Sequence, residues 1–216
     1  MNIRIYPPDG NVIVSIPLKM PLADARQWID SKQPWIEKQR AKILSRIYAP
    51  QLHYSSGETH TILGQEYTLT VVERTGRAAV KVNSDNKLWM YAPLNSTRDD
   101  RQKILELWIR RQMKATIQTL ITTWSSPMGV EVREFGIKRM RTKWGTCNTR
   151  DRRIWLNLEL ASMSLECLEY VVVHEMVHLL ERGHTARFWR LMDTFLPRWR
   201  EYRDELRTKP RPYVPR

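Results

Sequence analysis

Three of the chain's five histidines fall within eleven residues, HEMVHLLERGH at 174–184, and a glutamate follows the first of them. On a helix His174 and His178 lie one turn apart on a shared face. Two imidazoles so placed can bind one Zn2+ ion through ring nitrogens, with Glu175 beside the ion's open position rather than bound to it. An ion held by neutral ligands keeps its charge and lowers the pKa of a bound water from about 15.7 to roughly 7. Glu175 would take the proton as that zinc-bound water attacks a peptide bond, then pass it to the departing amine. A third protein ligand is needed, and His184 lies six residues beyond His178. A straight helix would carry it about 9 Å further along the axis, so the helix must end first. Gly183 is expected to make that reversal in the left-handed conformation. No fourth protein ligand is evident nearby, and structural zinc sites more often include cysteines.

These residues require a helix and a support for it. Ser162 or Ser164 can cap a helix whose apolar stripe is Leu165, Leu168, Val172, Met176 and Leu179. The preceding run, IWLNLEL at 154–160, alternates, with Ile154, Leu156, Leu158 and Leu160 on one face. Read as an edge strand, it would let an extended peptide add beside it, with Trp155 and Asn157 as substrate-binding residues of a cleft. Read as an interior strand, it only supports the helix. Phe188, Trp189, Met192 and Phe195 mark the buried side of the next helix, and Trp199 and Tyr202 that of another begun at Pro197. The proline-rich end, RTKPRPYVPR, is not expected to be helical.

Upstream, IRIYPPDGNVIVSI reads as a hairpin around Pro-Pro-Asp-Gly, and a helical pattern follows from Pro21 through Ile36, Ile43 and Ile47, divided at Pro34. Strands return from Thr59, with turns at Leu63-Gly64-Gln65, Thr75-Gly76 and Asn83-Ser84-Asp85-Asn86. His53 and His60, without a partnering cluster, read as surface residues. Thr97 with Asp100 forms a capping box that opens a long helix toward Trp124. The expected class is α+β: an N-terminal unit over 1–95 with an antiparallel sheet and helices, then a unit over 96–216 carrying the histidine helix.

The chain has 216 residues, of which 36 are Lys or Arg and 23 Asp or Glu, a formal charge of +13. Such an excess favours acidic partners, and the basic stretches at 138–153 and 198–216 could track the phosphates of a nucleic acid or prefer acidic substrates. Two cysteines provide neither a disulfide framework nor a CxxC pair; with no secretion signal and no membrane-spanning apolar run, a cytoplasmic location is expected. Nothing in the sequence sets an oligomeric state.

HEMVHLLERGHTARFW, preceded by RTKWGTCNTRDRRIWLNLEL and YVVVHE, resembles the YgjP-like zinc metallopeptidases, relatives of the SprT-like and WLM proteases. GETHTILGQEYTL and QPWIEKQ extend the resemblance over nearly the whole chain. It implies His174, His178 and His184 as zinc ligands, Glu175 as the catalytic glutamate, a protein or peptide substrate, and a minigluzincin-like core with the active-site helix following an edge strand. Trp144-Gly145-Thr146-Cys147 is similar to the family's Trp-Gly-Ser-Cys hairpin, with threonine in the serine position; Cys147 is either a contact to the metal in a resting form or, since three histidines already complete a catalytic ligand set, a structural residue of that hairpin, and the second is expected. Cys167 reads as core. Metzincins have glycine where this chain has Glu181, which argues against that assignment. A basic nucleic-acid-associated protein with a structural or vestigial zinc site is the alternative, and the two can coexist as a DNA-associated protease.

Overall fold

The computed structural model describes residues 1–6, 9–45 and 52–208. Pro7 and Pro8 of the expected turn, Ile47, and the proline-rich end from 209 lie outside the described residues. Two compact units fall within Met1–Gln51 and Leu52–Lys209.

In the first unit β1 (Asn2–Tyr6) pairs antiparallel with β2 (Asn11–Ser15), matching Ile3 with Val14 and Ile5 with Val12. Helix α1 (Leu22–Leu44) packs against β1 and buries Ala25 and Ile36. Pro34 does not divide it. A proline deletes one main-chain bond and crowds one carbonyl, and here full turns on both sides carry the helix past it.

The second unit begins with a four-stranded sheet in the order β3 (Thr59–Ile62), β4 (Gln65–Glu73), β6 (Lys87–Ala92), β5 (Ala79–Val82). The antiparallel expectation holds for β3/β4 and β5/β6 but not for β4/β6, which run parallel because β5 crosses to the far side of β6. The β3/β4 turn has Leu63 and Gly64 at φ 49° and 83°, the positive pair required by a two-residue hairpin. His60 is a correction. It is 5 % exposed, 3.4 Å from the Glu58 carboxylate and against the Tyr54 ring, and burial lowers its pKa. His53 is exposed.

Helix α2 (Arg98–Met128) starts with the capping box between Thr97 and Asp100 and ends at Gly129, whose φ of 64° is left-handed. Its first half buries Leu105 on the four-stranded sheet; its second half carries Met113, Ile117 and Ile121 into the larger core below.

A three-stranded sheet follows in the order β7 (Glu134–Lys138), β9 (Arg153–Asn157), β8 (Gly145–Asn148), with β7/β9 parallel and β8/β9 antiparallel. The strand before the histidine helix is therefore the middle strand, and the expectation of an edge strand there is corrected: β8 folds back onto β9 and takes the edge. The strand is also shorter than its alternation implies. The Asn157 side chain accepts the Glu159 N–H, and that local bond competes with the ladder and turns the chain into a 3-10 helix, Leu158–Ser162. Leu158 and Leu160 are buried by that turn rather than by a strand face.

Helices α3 (Leu165–Val177), α4 (Ala186–Phe195) and α5 (Trp199–Thr208) complete the unit. The tip of the β3/β4 hairpin holds the entry to α3: Leu63 donates its N–H to the Ala161 carbonyl at 2.7 Å, and a Cβ at Gly64 would come within 3.3 Å of the Ser164 main chain. None of the described helices is long and apolar enough to cross a membrane.

Candidate metal centre

Ser164 caps α3 by accepting the Cys167 N–H, and the helix then buries residues on nearly all its faces, among them Leu168, Val172, Val173, Met176 and Val177. Cys167 is fully buried, as expected of a core residue. A helix so enclosed is a costly place for an imidazole and a carboxylate unless they meet a partner there.

α3 stops at His178, and Leu179 and Leu180 donate to carbonyls three residues back, which tightens the chain off the helical path. The reversal that returns His184 thus begins five residues before Gly183. Gly183 is not among the described residues of positive φ, and a Cβ there would meet only the Thr185 methyl at 3.5 Å. The left-handed turn expected at Gly183 is therefore corrected. Gly183→Ala is expected to change unfolding free energy by less than about 0.5 kcal/mol in a urea titration; a loss above about 1 kcal/mol would show that the glycine is needed after all.

The chain's return brings three imidazoles together. One ring nitrogen from each of His174, His178 and His184 lies within 4.8 Å of the other two, and Nε2 of His174 is 3.0 Å from Nε2 of His184. The His178 Nδ1 sits 3.2 Å from the Glu181 carbonyl, an arrangement that fixes its ring. Thr185 caps α4 immediately after His184, by accepting the Phe188 N–H, and so pins the chain at that point. Phe188 is buried with its ring centre 4.7–4.9 Å from all three imidazole centres, and Trp189 stacks on His184 at 5.4 Å. Phe188 is a core residue as expected, but one that also shelves the histidine trio, a role that helical spacing does not reveal.

Burial favours the neutral form of two of the three rings, His174 and His178. The His174 pKa falls to about 3, chiefly by desolvation and then by His178 and His184; that of His178 is also lowered by burial, against the pull of the Glu181 carbonyl. Neutral imidazoles offer the lone pairs that a divalent ion needs. Glu175 is 5 % exposed and its pKa is pushed up to about 8 by burial, with Lys143 opposing the rise. Its carboxylate lies against the main chain of β8, so closely that a Cβ on Gly145 would fall 2.5 Å from Oε1.

An open cleft of about 420 Å³ exposes the three histidines and Glu175, with Lys143, Thr146 and Thr149 on the β8 side and Tyr170 and Arg182 among the facing residues. Cys147, on β8, also faces it; burial pushes its thiol up to about 12, which keeps it protonated. Trp155 and Asn157 do not line the cleft. Asn157 is 3 % exposed and donates to the carbonyls of Met140 and Lys143, both at 2.8 Å, while accepting the Met140 N–H. The Trp155 ring covers Gly136, with the Lys138 ammonium 4.8 Å from its centre. Asn157 thus shapes the loop leading into β8 without facing the cleft.

Comparison with known families places the chain among metallopeptidases. Residues 1–209 match the YgjP-like, metallopeptidase domain, and the chain belongs to that family. Its reaction is therefore hydrolysis of a protein or peptide substrate, and the family implies a divalent metal. Two solved structures are similar in part. The metallopeptidase zymogen abylysin of Pyrococcus abyssi is 22 % identical with a TM-score of 0.41, over 45 % of this chain and 99 % of that one. The zymogen jannalysin of Methanocaldococcus jannaschii is 17 % identical with a TM-score of 0.36, over 44 % and 92 %. Comparison with curated proteins finds no match.

Proposed function

We propose that the protein is a zinc-dependent endopeptidase in which His174, His178 and His184 hold the ion and Glu175 moves the proton. The observation that carries this reading is the convergence of three imidazole ring nitrogens within 4.8 Å of one another in an open cleft that a buried carboxylate also lines. All three donors are nitrogen, a set suited to zinc, and three protein ligands leave a coordination position free, as catalytic sites require. When bound, zinc supplies a Lewis acid and an acidified water.

The rest is the work of this chain's own residues. Phe188 and Trp189 hold the ligand rings at fixed angles. Glu175, desolvated against Gly145, has a carboxylate basic enough to accept a proton and return it to the leaving amine near neutral pH. With an ion held by the three histidines, Glu175 would sit beside a positive charge that favours its carboxylate form. The free edge of β8, rather than β9, receives the substrate: an extended peptide adds along it and passes the histidine trio. In this reading the catalytic region lies within 96–216 and has a minigluzincin-like arrangement.

Elemental analysis after exhaustive dialysis is expected to find about one zinc per chain in wild type and none in His178→Ala. Cleavage of an unfolded protein should stop when the metal is stripped by a chelator and return when zinc is restored. Undiminished cleavage by the stripped protein sinks the proposal.

A further inference from the structure

We infer that the cleft selects protein substrates with an aspartate or glutamate beside the scissile bond, and that Lys143 and Arg182 are the residues that hold it. The inference rests on the peptidase reading above. Apart from the histidines and Glu175, the charged residues lining the cleft are these two cations. Lys143 comes from the loop leading into β8 and Arg182 from the turn between His178 and His184, so two separate segments of the chain bring the cations to the cleft. Both are exposed.

Neither has a counter-charge among the described residues, whereas several basic side chains outside the cleft do: Arg139 pairs with Glu106 and Glu159, Arg152 with Glu131, and Arg200 with Asp193. Among the described residues neither Lys143 nor Arg182 has a carboxylate within salt-bridge distance. Even Glu181, the neighbour of Arg182 in sequence, lies 3.7 Å from Arg187 instead. Lys143 does act through space on Glu175, but that carboxylate is buried against Gly145. Cations in a concave wall focus their field into the cleft, where a bound peptide excludes water. An acidic side chain on the substrate supplies the missing partner, and a lysine there is repelled. Each exposed pair is worth about two- to fivefold in kcat/KM.

The test uses the zinc-loaded full chain and quenched fluorescent peptides that are identical except for Glu, Ala or Lys at the positions flanking the cleaved bond. Wild type is expected to prefer Glu over Lys by about tenfold or more when both cations contribute. Lys143→Glu and Arg182→Glu should each reduce or reverse that ratio, and the ratio cancels any effect of Lys143 on Glu175 itself. As a readout without turnover, Glu175→Gln should bind the Glu peptide more tightly than the Lys peptide, with a difference that shrinks as salt is raised. Equal rates across the series, or a preference untouched by both reversals, overturns the inference while leaving the peptidase intact. Cleavage of none of the peptides by wild type overturns both.

Discussion

Glu175→Gln is expected to reduce kcat for peptide cleavage by about 10²- to 10⁴-fold, the range a positioned general base contributes, with zinc content unchanged because the glutamate is not a ligand. The substitution keeps the side chain's shape and removes its charge, so a second effect follows in the metal-free protein. Burial raises the folded pKa of Glu175 to about 8, above the ordinary 4.5. The folded state thus binds more protons than the unfolded one across that window, and stability falls as pH rises through it. Glu175→Gln removes this loss. Urea titrations of the two metal-free proteins should agree below about pH 4.5 and diverge by about 2–4 kcal/mol at pH 8, the variant being more stable. The half-buried His174, whose pKa is lowered, has the opposite slope, but it is present in both proteins and cancels. Cleavage by the variant at a rate near wild type would remove Glu175 from the proton path, whatever the stability curves show.

Why these features were legible in the sequence while others were not depends on the range of the interaction behind each. The Thr97–Asp100 box, the Leu63-Gly64 turn and the Ser164 cap are settled by atoms a few residues apart, and the sequence carries them directly. The need for α3 to end between His178 and His184 follows from helical rise alone. How it ends does not: tightened turns after His178 make the left-handed conformation of Gly183 unnecessary. Strand order is also non-local. Alternation shows that Ile154 and Leu156 face a core, but only the packing of β8 and β7 on either side of β9 shows which strand has a free edge. The burial of His60 is not legible in the sequence, because it is packed against Tyr54 and the Glu58 carboxylate, contacts that no periodicity encodes. Alternation puts Trp155 and Asn157 on the less apolar face, but it does not show that Trp155 lies over Gly136 and that Asn157 bonds the loop around Met140.

Gly145→Ala is expected to reduce kcat/KM by about 100-fold without removing the metal, although no chemistry resides in a glycine. The added methyl would lie 2.5 Å from Oε1, 2.7 Å from Cγ and 2.8 Å from Cδ of Glu175. Real Cβ atoms do not approach so closely, and the clash reaches back to Cγ, so rotation of the carboxylate end alone does not relieve it. Either β8 moves outward, taking its free edge with it, or Glu175 swings from the histidine trio; a displacement of about 1 Å suffices for the stated loss. Gly145 is not among the described residues of positive φ, so alanine brings no backbone strain of its own and the contact is the cause. The cost in stability should be that of modest overpacking, about 1–3 kcal/mol. If Gly145 acts through Glu175, its effect depends on that side chain, and the double variant Gly145→Ala, Glu175→Gln should cleave hardly more slowly than Glu175→Gln alone. Losses that multiply would instead show that the displaced β8 edge, and not the carboxylate, is what the alanine disturbs.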